Sequence, residues 1–345
     1  MQIDFHHGVT YVVARLSGFS HQAANTIAYS AQYVDDATNA GVLEFQDRIF
    51  YSRISTANKT LTLKHLNDFG NHLVWIPFHF LPGNGGLPAG SNPNGSFVHK
   101  IICRPNSHVA QDMVRACIQD KHKPYALHRL GITAHVYVDT WAHQGFAGIV
   151  HDVNKVDELK GEDEMIFDAN EALLSLGHGQ ALSNPDIPFN AWSYKNGLDD
   201  IIERDNLGDF TEAADELCKV FRGYLNDGYD PDRAGLKPKH KEQIYDMLGA
   251  IRSDNAEERH QEWIDAVKKD HFGFGAEDLD YIPKGVDSWK HIATGITGSH
   301  DSGKERPVFQ PDFLTSDWKM FHDAAKEHRL TVIDDILPKY GICAG

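Results

Sequence analysis

The sequence predicts a mostly α-helical protein, a multi-helix bundle joined by long irregular loops, with room for a small β-hairpin. Three observations carry this expectation. Apolar residues recur at helical spacing in one segment after another. Neither strand–helix alternation nor an internal repeat is present, which argues against a parallel α/β sheet. The stretches between the periodic segments are rich in Gly, Pro and Asn, the residues of turns and loops.

In chain order, Val9, Val12, Val13 and Leu16 give residues 7–18 one apolar helical face, punctuated by Gly18 and the Ser20–His21 step. Ala24, Ile27, Ala28 and Ala31 resume the pattern from Gln22 to Tyr33. Residues 41–63 read as extended, with Phe50, Tyr51, Ile54 and the alternation Thr60–Leu61–Thr62–Leu63, a candidate hairpin. Residues 82–107 (PGNGGLPAGSNPNGSFVHKIICRPNS) form a loop of a length that is usually functional or disordered. Helical periodicity returns at 108–120 and 124–145, then at 208–226, 238–252, 256–270 and 316–331. The expected division is a helical core over 1–200, dense in His and Asp, and a helical region over 201–345 packed on it or continuous with it.

Composition narrows the function. The 345 residues carry 33 Lys plus Arg against 49 Asp plus Glu, a net charge of −16, and 41% are hydrophobic. Dominant disorder is excluded. A broad nucleic-acid-binding surface is disfavoured, because phosphate contacts need Lys and Arg, although metal ions can supply positive charge locally. No apolar run approaches the ~20 residues of a membrane span. The N-terminus lacks a basic region and a cleavage site, so the default location is the cytoplasm; signal-independent export would leave the same trace. The four cysteines are far apart with no CxxC pair, which fits neither a disulfide framework nor a thiolate zinc site. The 21 histidines, with no tag-like run among them, stand out.

Their placement points to metal. In LHRLGITAHVYVDTWAHQGFAG (127–148), His135, Asp139 and His143 lie at i, i+4 and i+8, one stripe of a helix, with His128 near it. Two neutral imidazoles and a carboxylate converging from a rigid rod suit a metal site, and such a carboxylate can bridge two ions. A lone His there would more simply be a satisfied core residue. Three ligand-type residues at fixed spacing favour metal. Further clusters are Asp4, His6 and His7 before the first helix, Asp35 and Asp36 in YVDDA, and His79 in WIPFHF. Taken singly, Asp4 or one of Asp35 and Asp36 could be a helix cap and His79 a core residue.

Taken in order, these motifs resemble the zinc-dependent phospholipase C and single-strand nuclease superfamily, helical enzymes that hydrolyse phosphodiesters with three clustered zinc ions. HVYVDTWAHQGF resembles the HxxxDxxAHxxF core of heterokaryon-incompatibility C relatives. DFH, QYVDD, PFHFLPG and WAHQGF together resemble a bacterial family of unassigned function. The motifs span residues 4–190. The resemblance implies His6, Asp35, His79, His135 and Asp139 as ligands of two metals, with Asp139 bridging. It implies His143 with a later His for the remaining one; LGHGQALSNPD offers His178 and Asp186. The superfamily's closing HxxxE or HxxxD is not kept, because position 182 is Leu. The Asp139–His143 spacing is shorter than in the phospholipases, and the Asp35–His79 gap longer. The superfamily also uses a processed N-terminal amine, normally on Trp, as a ligand. Here the chain starts MQ, so that amine is expected to be displaced and Asp4 to take its place.

The expected function is a metal-dependent hydrolase acting on a small-molecule or lipid phosphoester, with two or three divalent ions, zinc favoured and iron or manganese open. Metal would neutralise the phosphoryl group and lower the pKa of a water, which Asp35 or Asp36 would orient and deprotonate. The loop at 82–107 would be a lid. Rival readings are an HD-type phosphohydrolase, from the pairs His151–Asp152, His300–Asp301 and His322–Asp323, and a non-catalytic protein with a relic metal core. A dinuclear iron oxidase would need Glu-x-x-His pairs. Trp263, Trp289, Trp318, Phe272, Phe274 and Phe321 read as core; Lys268 and Lys269 as solvated.

Overall fold

The computed structural model describes residues 1–58, 72–161, 176–226, 228–299 and 304–344. The protein is mostly helical, with small antiparallel sheets. The chain opens on a π-helical turn (Asp4–Val9) that runs into α1 (Thr10–Ser17) and α2 (His21–Asp36). Ser20 caps α2, its hydroxyl accepting from the Ala23 amide. A hairpin follows, β1 (Gly41–Glu44) and β2 (Phe50–Arg53), as expected; the Thr60–Leu63 alternation lies outside the described residues.

The segment WIPFHF starts in a helix: α3 spans His72–Phe78 and ends just before His79. The 82–107 loop holds a short helix, α4 (Val98–Ile101). Its base is pinned where the Cys103 amide donates to Phe146 O at 2.8 Å, and it packs on the C-terminus through Lys100 Nζ to Tyr340 O. Next come α5 (His108–Gln119) and α6 (Ala126–Ala142). A sheet that the sequence reading did not anticipate follows, with strand order β3 (Val156–Lys160), β4 (Ala191–Asn196), β5 (Ile201–Asp205). The helices α7 (Asn206–Leu225), α8 (Pro238–Ala250), α9 (Ala256–Lys268), α10 (Trp289–Thr294) and α11 (Asp317–Leu330) complete the chain.

The axis of the molecule is α6, which is buried at every position except Leu127. A helix apolar on all sides belongs at a centre, and α2, α5, α7 and α11 pack around this one. Gly131 permits the closest crossing: a Cβ there would lie 2.3 Å from Ile27 O and 2.5 Å from Ser30 Cβ. One turn on, His135 meets Ala31, so the end of α2 carries Asp35 beside the His135–Asp139 stripe. The last α6 carbonyls are satisfied by Arg204 of β5, whose guanidinium donates to Trp141 O at 2.9 Å and Ala142 O at 3.2 Å.

The largest hydrophobic cluster draws residues from both sides of position 200, Val12, Tyr137 and Trp141 beside Phe210, Phe221 and Ile336. Trp263, Trp318, Phe272 and Phe321 are core residues, Trp289 and Phe274 are partly buried against it, and Lys268 and Lys269 are solvated. The four cysteines are free thiols, three of them buried. Among the described residues, no helix is long and apolar enough to cross a membrane.

Candidate metal centre

Five parts of the chain converge at the α2–α6 crossing. The π-helical turn brings His6, α2 brings Asp35, the residue after α3 brings His79, α6 brings His135 and Asp139 with His143 as its C-cap, and the 176–187 loop brings His178 and Asp186. Three groups within this set have ligand atoms all within 4.8 Å of one another: His6, Asp35 and His135; His79, His135 and Asp139; His143, His178 and Asp186. Two of the groups share His135, and Asp139 lies between the second and the third. His135 Nε2 and His79 Nδ1 are 3.2 and 3.6 Å from Asp139 Oδ2, and His6 Nε2 is 3.2 Å from Oδ1.

The imidazoles are oriented by backbone. His135 Nδ1 lies 2.8 Å from Ala31 O, His143 Nδ1 2.8 Å from His79 O, His178 Nδ1 3.0 Å from Leu182 O, and His79 Nε2 2.9 Å from Thr56 O. A carbonyl only accepts, so each of these nitrogens carries the proton and donates. The other nitrogen of each ring then presents a lone pair: Nε2 of His135, His143 and His178, and Nδ1 of His79. These lone pairs face the carboxylates, with His143 Nε2 3.6 Å and His178 Nε2 3.5 Å from Asp186. Holding one ring nitrogen by a hydrogen bond so that the other is free is how proteins prepare histidine ligands.

Leu182 stands where the closing motif would put a carboxylate. It adopts a left-handed backbone (φ 53°) and gives its carbonyl to His178, while Asp186 supplies the carboxylate. Gly177 (φ 53°) packs so closely on the Phe80 ring that a Cβ there would lie 2.3 Å from Phe80 Cζ.

Burial is nearly complete at His6, His135 and Asp139, and the centre opens at Asp35 and His178, whose side chains are 34% and 21% exposed. Buried polar atoms are left over here. Both ring nitrogens of His6, Asp139 Oδ2 and Asp186 Oδ1 have no hydrogen-bond partner. A neutral His6 ring keeps one N–H; its other nitrogen and the two carboxylate oxygens offer lone pairs that a cation would satisfy.

The electrostatics agree. Burial lowers the His6 pKa well below its usual value, and burial takes His178 down to about 4. Both are therefore neutral ligands at pH 7. Burial opposes ionisation of Asp139 and Asp186, but it is outweighed by His143 and the Met1 ammonium at Asp139, and by the ammonium and His178 at Asp186, so both carboxyls fall well below the usual range. Burial raises Asp35 against the pull of His135 and His79.

The expectation of a displaced N-terminal amine does not match the structure. Met1 N lies 2.7 Å from Asp139 Oδ1 and 3.1 Å from Asp186 Oδ1. Burial lowers its pKa, but the two carboxylates more than compensate and raise it to about 11. An ammonium thus sits between carboxylates, in a cation's position. Asp4 faces the other way and accepts from Arg259 Nε at 2.6 Å. Asp36 also stands apart: it accepts from Tyr281 Oη at 2.7 Å and lies 3.7 Å from Lys284 Nζ. His128 pairs with Asp317 instead of joining the stripe.

The HD dipeptides are elsewhere. His151 and Asp152 are exposed in a turn, where His151 Nδ1 accepts from the Val153 amide. His322 is buried against Trp318, and Asp323 receives Tyr51 and Lys319. His300–Asp301 lies outside the described residues.

The sequence model of a family described as a family of unknown function, DUF6765, matches residues 1–336, so the chain belongs to that family. Comparison with curated proteins and with solved structures returns no match.

Proposed function

We propose that this member of DUF6765 is a metal-dependent hydrolase of phosphoesters, related to the zinc-dependent phospholipase C and single-strand nuclease superfamily that its motifs resemble. The observation that carries the reading is the set of four imidazoles, each fixed through one N–H to a backbone carbonyl and each aiming its other nitrogen at Asp139, Asp186 or Asp35. His6, Asp35, His79, His135 and Asp139 would hold two ions, with Asp139 between them. His143, His178 and Asp186 would hold a third. The Met1 nitrogen is within reach but is an ammonium, and becomes a further donor only on losing its proton. A nitrogen and carboxylate set without thiolate favours zinc, with iron and manganese admitted by the same ligands.

Bound divalent ions supply charge neutralisation for a phosphoryl group and make a water acidic enough to attack near neutral pH. The protein's residues do the remaining work. Asp35, the most exposed carboxylate of the centre, would orient that water and accept its proton. Asp36 is held by Tyr281 and Lys284, so we assign this role to Asp35 alone. Burial raises the Asp35 pKa in the metal-free centre, against the pull of His135 and His79. The buried shell of His135, Asp139 and His6 keeps bulk water out behind the reacting face.

The test is hydrolysis of bis(p-nitrophenyl) phosphate and of a short-chain phosphatidylcholine by protein loaded with zinc or manganese. The reading expects turnover abolished by chelator, and Asp35→Asn lowering turnover by roughly 100-fold while weakening the ion at the His6, Asp35 and His135 group more than the one at His143, His178 and Asp186. Fully loaded protein that cleaves no phosphoester would overturn it and favour a non-catalytic metal protein.

A further inference from the structure

We propose that Arg259, in the C-terminal part of the chain, is a positioning residue that sets His6 in the metal centre; the inference rests on the metal-centre reading above. The argument starts from a gap. His79, His135, His143 and His178 are each oriented by a backbone carbonyl. His6 is not: its Nε2 lies 3.2 Å from Asp139 Oδ1, and no backbone carbonyl accepts from its ring. Its ring stacks on His135 with centroids 3.8 Å apart, which fixes a distance but leaves its direction to the backbone that carries it.

That backbone is clamped from α9. The Arg259 guanidinium donates to Asp4 Oδ2 at 2.6 Å, to Gln2 Oε1 at 2.5 Å and to Ser253 O at 2.6 Å. Gln2 O in turn accepts from the His6 amide at 2.9 Å, so the fork acts on His6 through Gln2 and Asp4. The next residue on α9 continues the contact, with His260 Nε2 2.8 Å from His7 Nδ1. One turn on, Trp263 presses against Gly8 so closely that a Cβ there would be 2.8 Å from Trp263 Cβ. Arg259, His260 and Trp263 therefore hold one side of the π-helical turn while His6 points from the other into the centre.

The chemistry of the clamp supports a positioning role. Arg259 and Asp4 are each 1% exposed. A buried ion pair is seldom a net gain over apolar packing, and its best-attested use is to fix a register. Two directed donors to Gln2 and Asp4, with the third anchoring the fork on Ser253 O, fix the turn better than a Lys could. The face that α9 covers needs register, because a slip of one residue in the π-helical turn would exchange His6 for His7.

Two variants of the full chain test this, Arg259→Lys, which keeps the charge for Asp4 but loses the fork, and Arg259→Gln. Zinc titration of stripped protein is expected to show one equivalent weakened roughly tenfold in Arg259→Lys and more in Arg259→Gln, with the other equivalents unchanged. The visible spectrum of the cobalt(II)-substituted protein should shift in the same order. In the metal-free protein, carbethoxylation of His6, read by mass spectrometry, should be slow in the wild type and markedly faster in Arg259→Lys. Folded variants with wild-type zinc isotherms, cobalt spectra and His6 reactivity would overturn the proposal. If Arg259→Gln does not fold, Arg259→Lys decides. Wild-type protein that takes up no zinc while Arg259→Lys still exposes His6 would sink the metal reading and leave the clamp standing.

Discussion

Two populations of buried histidine share this core and differ in what their rings face. At the α2–α6 crossing, His79, His135, His143 and His178 donate to backbone carbonyls and turn their second nitrogens toward carboxylates. Elsewhere, His7 meets the ring of His260, His328 donates to Pro77 O and stacks on Phe78, and His322 packs on Trp318. Burial alone does not make a ligand. Convergence does: a fixed tautomer, a free lone pair and an anionic partner at one point.

The sharpest way to break the comparison is Asp139→Asn, since Asp139 lies against His6, His79, His135 and the Met1 ammonium. Metal affinity should fall by about 100-fold or more at two or more equivalents, measured by competition with a chromophoric chelator. Next, His135→Ala and His328→Ala both hollow the core, so both should cost about 2–4 kcal/mol in denaturant unfolding of stripped protein. Metal loss should follow His135→Ala alone. Equal metal retention in both variants would erase the distinction drawn between the two populations.

A smaller effect separates them by pH. Burial lowers the His322 and His328 pKa values to about 3 and that of His260 to about 4. Their unfolded counterparts titrate near the ordinary 6.5. Below that pH the unfolded state binds more protons, so stability is present above about 6.5 and is lost as pH falls toward 3–4. Each such group contributes a slope of about 1.4 kcal/mol per pH unit. Replacing His322 by Gln should flatten the acid limb by one proton's worth, read from urea unfolding between pH 4 and 7. The mildest change is Asp36→Asn, which weakens the acceptor for Tyr281 and should cost about 1 kcal/mol while metal content stays unchanged.

The legible part of the centre was the part written on one helix. His135, Asp139 and His143 announce themselves by spacing, because helical geometry turns a four-residue interval into a shared face. His79, His178 and Asp186 follow no period, since they sit just past a helix end and in irregular backbone. His79 stood out only as a histidine in an apolar segment, and motif resemblance alone reached His178 and Asp186. Adjacent His6 and His7 cannot be told apart by sequence, as both are buried and the π-helical turn decides which faces inward. Asp4 looked like a ligand because its partner, Arg259, is 255 residues away.

The Met1 amine carries no side-chain signal at all. The helices α1, α2, α5, α7, α8, α9 and α11 followed their apolar periodicity closely. The β3–β4–β5 sheet was missed although Trp192, Tyr194 and Asn196 alternate inward on β4. Its neighbours β3 and β5 are short and largely exposed, so little in their own pattern marks them as strands.

The central claim is that these side chains are a metal centre, and metal content tests it most directly. Inductively coupled plasma mass spectrometry on untagged protein, purified without chelator, should find two or three equivalents of zinc, iron or manganese per chain. It should find correspondingly fewer in His135→Ala. Protein that carries no metal, and takes up none after incubation with these ions, would contradict the account and leave the converging histidines a purely structural network.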